Sequence, residues 1–214
     1  MGLADLAAHV ASAGGLREVV QTVLLADDLV QREALLAGEI ETVTPAVLTA
    51  AQARNEAPLP GYLAGEEGER ERRIAADAVW ENYYRRAAAV ARRRRSRFLR
   101  EWVRYDLSLR NALAAARAKA LGLEPADYLV AQELGGPPEA AAPLVSEWAA
   151  GDPLAGLKAL DAARWAWLVE HERWYSFAAD EVAAYAAKLM LLERWRRITA
   201  AESGPPRQAA ARAL

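Results

Sequence analysis

The stretch from residue 69 to residue 121 reads ERERRIAADAVWENYYRRAAAVARRRRSRFLREWVRYDLSLRNALAAARAKAL, 53 residues with neither glycine nor proline. Its apolar positions recur at three and four: Trp80, Tyr84, Ala87, Ala91, Phe98, Trp102, Tyr105, Leu109 and Leu113 share one stripe, interrupted by Arg94. That period belongs to helices, not strands. As one helix the stretch would measure roughly 80 Å. A chain of 214 residues rarely holds such a rod, so the pattern predicts either a long antiparallel helical hairpin or a break that no glycine or proline marks. Arg94, on the apolar stripe, must snorkel, meet a carboxylate, or mark that break.

The helical period continues on both sides. Leu3, Leu6, Ala7 and Val10 form a short amphipathic face before Gly14 and Gly15. Leu16, Val19, Val20, Val23 and Val30 continue on a second helix, which Gly38 stops. Thr44 followed by Pro45 predicts an N-cap and a short helix reaching Arg54. Residues 55–68, with Pro58, Pro60, Gly61 and Gly65, read as a loop. Beyond the long stretch, Gly122 ends a helix, Pro125 to Leu134 reads as a short one, Gly135 to Pro138 is a linker, and Pro143 interrupts the segment after it. Asp152 and Pro153 open a helix whose face is Leu157, Leu160, Arg164, Trp167, His171 and Trp174. Ser176 or Asp180 restarts the last helix, where Val182, Tyr185, Leu189 and Leu192 face one way and Met190 and Leu191 another, as in a central helix. The expected fold is an all-α multi-helix bundle, with one lobe or two. It divides into an acidic helical segment 1–57, a basic long-helix region 69–134, a C-terminal helical region 139–203 and a tail 204–214.

Composition narrows the function classes. With 53% hydrophobic residues and 51 alanines the chain can bury a sizeable core, and with no cysteine it has no disulfide, thiolate nucleophile or cysteine-ligated metal. No apolar run approaches the roughly 18 residues of a membrane span. Met1 to Val10 carries Asp5 and no basic residue, so a cytoplasmic protein without membrane insertion is expected, at most peripheral through a complex.

Charge is segregated. Residues 1–69 hold 3 basic and 11 acidic side chains, residues 70–119 hold 15 and 5, and residues 120–214 hold 9 and 13, for a total of −2. Arg92 to Arg95 fan around a helix at about 100° per residue. On one helix, Arg86, Arg93, Arg97, Arg100 and Arg104 would instead make a stripe about 27 Å long. Three readings stand: a solvated face answered by the chain's own acidic N-terminal third, a dock for an acidic protein partner, or a nucleic-acid surface. The last is the weakest, because Phe98 and Trp102 lie on the apolar stripe and not among the arginines. Trp165 and Trp167 point about 200° apart on a helix, so one of them meets a partner or a neighbouring lobe. The candidate partner-binding residues are therefore Arg86, Arg93, Arg97, Arg100, Arg104 and Trp165.

Catalytic sets are thin. There is no GxxxxGK or GxGxxG loop, no GxSxG elbow, and the HExxH that His171 and Glu172 begin fails at Tyr175. Both residues three before a histidine are leucine, Leu6 and Leu168, which removes the Glu-x-x-His pair of di-iron bundles. No catalytic residue, cofactor or metal ligand is assigned. His171, beside Trp167 and Trp174, reads as a packing residue, with acid–base work as the alternative. Asp106 and Arg110, one turn apart, predict an i, i+4 pair which with Asn111 forms a structural polar cluster fixing a helix contact.

Two segments resemble a known family. One is Phe98-Leu-Arg-Glu-Trp-Val-Arg-Tyr-Asp-Leu-Ser-Leu-Arg-Asn-Ala-Leu-Ala, continuing through Arg117 to Leu121-Gly122-Leu123. The other is Leu160-Asp-Ala-Ala-Arg-Trp to His171, then Phe177 and Ala184-Tyr-Ala-Ala-Lys-Leu-Met-Leu-Leu-Glu-Arg-Trp195. Together, over about residues 80–205, they resemble an uncharacterised bacterial family encoded within V-type ATPase gene clusters, in the place otherwise held by the d-type adaptor. Met1 to Val10 lacks the tyrosine-rich opening of that family. The resemblance implies a non-catalytic, all-helical accessory subunit touching stalk or rotor subunits. The alternative carried by the arginines is a basic helical module that binds nucleic acid.

Overall fold

The computed structural model describes residues 2–65, 72–136, 145, 153–172 and 178–202. Among these the chain is an all-α bundle without strands: α1 (Leu3–His9), α2 (Gly15–Leu36), the single turns α3 (Ala50–Ala53) and α4 (Gly61–Ala64), α5 (Ala75–Arg94), α6 (Arg97–Ala120), a 3₁₀ turn (Pro125–Tyr128), α7 (Pro153–His171) and α8 (Ala179–Glu202).

The long stretch is both a hairpin and a break. Arg95 takes the left-handed conformation at φ 53°. The Ser96 N–H bonds back to Ala91 O at 3.0 Å and the Arg95 N–H to Arg92 O at 3.2 Å, the bonding pattern of a Schellman turn. Ser96 also starts the next helix, its Oγ accepting from the Leu99 N–H at 3.0 Å. Two residues thus reverse the chain. Tyr84 faces Asp106 and Asp77 faces Arg110, so α5 and α6 run antiparallel. The hairpin does not project, since α5 packs on α2 and α4 while α6 packs on α8.

One apolar cluster reaches from Leu3 of α1 to Leu191 of α8, with Val20, Val23 and Leu24 of α2, the Trp80, Tyr83 and Tyr84 group of α5, and Leu99 and Leu107 of α6 at its heart. A smaller cluster of Leu109, Ala112, Val145 and Leu160 lies against the middle of α6. Phe98 and Trp102 stack at 7° between ring planes, and Trp167 of α7 leans on both, 6.1 and 5.5 Å away between centroids. Such ring contacts add to the area each aromatic buries.

Several sequence expectations need correction. Thr44 and Pro45 start no helix; the short helix begins at Ala50, capped by Thr49. The cause is Asp28, buried on α2, whose carboxylate accepts the N–H groups of Ala46, Val47 and Leu48 at 2.7–2.8 Å and so holds that segment as a bend against the helix. Only a 3₁₀ turn forms within Pro125–Leu134, because Asn111 brackets the Val130 backbone and diverts the chain. The last helix starts at Ala179, and it is central in packing against α1, α2, α6 and α7. Its buried face is Ala183, Ala184, Ala186, Ala187, Met190 and Leu191, which lets α2 approach closely; Tyr185 and Leu192 stay exposed at 46% and 55%. Trp174, Ser176, Phe177, Pro137, Pro138, Pro143 and the tail 204–214 lie outside the described residues.

Candidate partner-binding surface

The α5–α6 turn gathers the arginines, and one carboxylate meets three of them. Glu18, in the first turn of α2, accepts from Arg86 at 3.0 Å, from Arg94 Nε at 2.6 Å, and from Arg93. Partial burial would lift this carboxyl, but the bonds from Arg94 and Arg93 hold it below its ordinary value. Glu18 is thus one residue of the acidic N-terminal third that answers the basic region. Arg94 sits at the break and pairs with a carboxylate, two of the three options its position allowed.

The other arginines stay in solvent. Arg97 is exposed and bonds to Glu101, one turn along α6, at 2.8 Å. Arg92, Arg95, Arg100 and Arg104 are exposed and meet no carboxylate among the described residues. The expected stripe of five on one helix does not form. Arg86 and Arg93 lie on α5 and Arg97, Arg100 and Arg104 on α6, with the chain reversed between them. What remains is a patch around the turn, continued along α6 by Arg97, Arg100 and Arg104 at i, i+3 and i+7. Phe98 and Trp102 are buried in the stack, so they offer no platform for bases.

Trp165 and Trp167 divide as their spacing requires. Trp167 turns inward and stacks on Tyr105, 5.1 Å between centroids. Trp165 is 37% exposed, with Lys188 Nζ 5.3 Å from its ring centre. Val169 on α7 and Tyr185 and Leu192 on α8 are also exposed, which makes an apolar strip on this helix pair.

The polar cluster holds helices together by other pairings than its spacing suggested. Asp106 does not pair with Arg110; it accepts from the Tyr84 hydroxyl at 2.8 Å and from Arg164 Nε at 2.9 Å. Arg164 and Arg194 both reach Asp161, at 3.0 and 3.1 Å. Arg110 turns to Asp77 at 2.9 Å and lies over the Trp80 ring, 4.6 Å from its centre. Tertiary partners on α5 and α7 displaced the local pair because burial strengthens them. Burial would raise Asp106, but Arg164, the Tyr84 hydroxyl and Arg194 hold its carboxyl below the ordinary range.

His171 stacks on Trp167 at 4.0 Å, its Nδ1 donating to Trp167 O at 2.9 Å. It lines a cleft of about 300 Å³ with Arg97, Glu101, Glu170 and Asp180. Three of those are already engaged, Arg97 and Glu101 with each other and Asp180 with the Ser96 hydroxyl and the Phe98 N–H at the start of α6. Among the described residues no three carboxylates and histidines are placed to hold a metal ion.

Residues 51–136 match the model of a family described as Protein of unknown function (DUF2764). The match covers 86 of the 214 residues, from α3 to just past the 3₁₀ turn, and so includes the whole arginine turn and the segment from Phe98 to Leu123. No curated protein and no solved structure matches the chain. Among the described residues no helix is long and apolar enough to cross a membrane.

Sequence reasoning missed three participants. Glu18 was visible only as part of the acidic excess in residues 1–69. Arg164 gave no sign that it would seek Asp106, 58 positions away. The turn itself had one signal: Ser96 is the sole serine, threonine, aspartate or asparagine between Asn82 and Asp106, hence the one good N-cap there.

Proposed function

We propose that this chain is a non-catalytic helical accessory or adaptor subunit of a bacterial V-type ATPase, working through protein–protein contacts on the cytoplasmic side of the membrane. The observation that carries the adaptor part is the patch of exposed arginines at the α5–α6 turn. Four of them meet no carboxylate among the described residues, so the fold itself has no use for their charge. The exposed strip of Trp165, Val169, Tyr185 and Leu192 supports the same reading, since tryptophan, tyrosine and arginine are enriched in interfaces. The ATPase part rests on the two segments that resemble the cluster-encoded family.

The test is affinity purification of the tagged protein from its native cell, with membranes gently solubilised and co-purifying proteins identified by mass spectrometry. Stoichiometric stalk and rotor subunits are expected with the wild type, and less of them with Trp165→Ala. Recovery of nucleic acid, or of no ATPase subunit, overturns the reading.

A further inference from the structure

Among the described residues four turns are closed in the same way. After α2, α3, α5 and α6 a residue with positive φ donates its N–H three positions back, and the next residue donates five positions back. The positive-φ residues are Gly38, Asn55, Arg95 and Gly122. Glycine and asparagine are what this conformation favours, glycine because it has no Cβ to meet the backbone and asparagine because its short polar side chain hydrogen-bonds locally. Arg95 is the exception. A strained residue at one of four equivalent positions points to use of its side chain, and Arg95 is exposed.

Its surroundings say what it would meet. Arg92 and Arg95 on the turn and Arg97, Arg100 and Arg104 along the next two turns of α6 form a row whose α6 part rises about 10 Å. The spacing i, i+3, i+7 matches carboxylates repeated on one face of a second helix. The chain holds 24 arginines and 3 lysines, and arginine's planar fork suits bidentate bonds to carboxylates. Acidic side chains border the row: Glu101 on α6 and Glu170 at the end of α7, which line the same cleft as Arg97. A polyphosphate backbone would meet those as like charges, whereas a protein segment of mixed charge can match both.

We propose that the row Arg92, Arg95, Arg97, Arg100 and Arg104 receives an acidic helical segment of a partner protein, and that Arg95 stands where glycine would fold better because its guanidinium reads that segment. The proposal deepens the adaptor reading and rests on it for the identity of the partner alone.

The test pairs stability with binding. Arg95→Gly and Arg95→Asn should raise Tm by about 2–4 °C. The binding probe is a synthetic helical peptide with glutamates repeating at i, i+4 and i+7, followed by fluorescence anisotropy in about 0.15 M salt, with its glutamine counterpart as control. Wild type should prefer the glutamate peptide, Arg95→Gly should lose affinity by about tenfold, and Arg100→Glu with Arg104→Glu by more. Three results overturn the proposal: unchanged Tm in both Arg95 variants, unchanged peptide affinity in Arg95→Gly, or tighter binding of a DNA duplex than of the peptide. The two ideas fail separately. Peptide binding without ATPase subunits in the purification sinks the assignment to the ATPase, while ATPase subunits recovered equally by wild type and Arg95→Gly sink this one.

Discussion

Arg164 and Arg100 carry the same charge in opposite settings. Arg164, on the inner side of α7, is flanked by Asp106 and Asp161, and with Arg194 it completes a buried set of two guanidiniums and two carboxylates. Arg100, on the outer side of α6, has no carboxylate partner among the described residues. Charge inside a bundle must be matched, because a lone buried ion is costly; charge outside is nearly free and goes unmatched unless something beyond the fold uses it. The buried set therefore explains itself by architecture, and the turn does not.

The sharpest way to break that contrast is Arg164→Met. Methionine fills similar space, but it leaves Asp161 buried and Asp106 largely shielded from water with Arg194 as the one remaining guanidinium of the set. A loss of about 3–5 kcal/mol is expected in urea unfolding. Adding Asp106→Asn should return part of the loss by removing a stranded charge. A single-variant loss below about 1 kcal/mol would mean that water reaches the set and that it belongs with the surface arginines.

Asp28 sharpens the same contrast with a carboxylate that has no cationic partner among the described residues. Burial pushes it up to about 6, against the pull of the Ala46, Leu48 and Val47 N–H groups, with Asp27 close by adding to the rise. The native state then holds a proton that the unfolded chain releases near pH 4, so this contribution is full below that pH. It is lost as pH rises to about 6, by up to about 3 kcal/mol, and is flat above. Asp28→Asn, which cannot titrate, should lack that slope. Urea melts of both proteins between pH 4 and 7 give the difference, and parallel curves would place the carboxyl at its ordinary value.

Much of the helical framework was legible because its signals are local. The three-four spacing found α1, α2 and both halves of the hairpin, and Gly38 and Gly122 marked two ends. The failures share a physical form: a distant side chain outcompeted a local rule. Asp28 unwound the helix expected after Pro45 by taking three N–H groups, Asn111 did the same at Val130, and Asp77 and Arg164 separated Asp106 from Arg110. For the candidate surface, the residue types were legible and the shape was not. A single line of five arginines became a patch around a turn, because that turn is closed by an arginine at a place where glycine would have announced it.

The smallest expected effect decides whether the turn is surplus to the fold. Arg100→Glu and Arg104→Glu together should shift unfolding stability by no more than about 1 kcal/mol, since each side chain is exposed and unpaired and surface substitutions of that kind usually fall within about 0.5 kcal/mol. The sign is informative as well. Arg100 is the fourth residue of α6, at the edge of the first turn where the macrodipole favours negative charge, so a slight gain would come from that position and would mean that nothing in the bundle depends on the guanidiniums. The same urea melts used for Arg164→Met give the comparison directly. A loss approaching that of Arg164→Met would show that the turn arginines hold the bundle together through contacts within the chain, and the reason for assigning them to a partner would be gone.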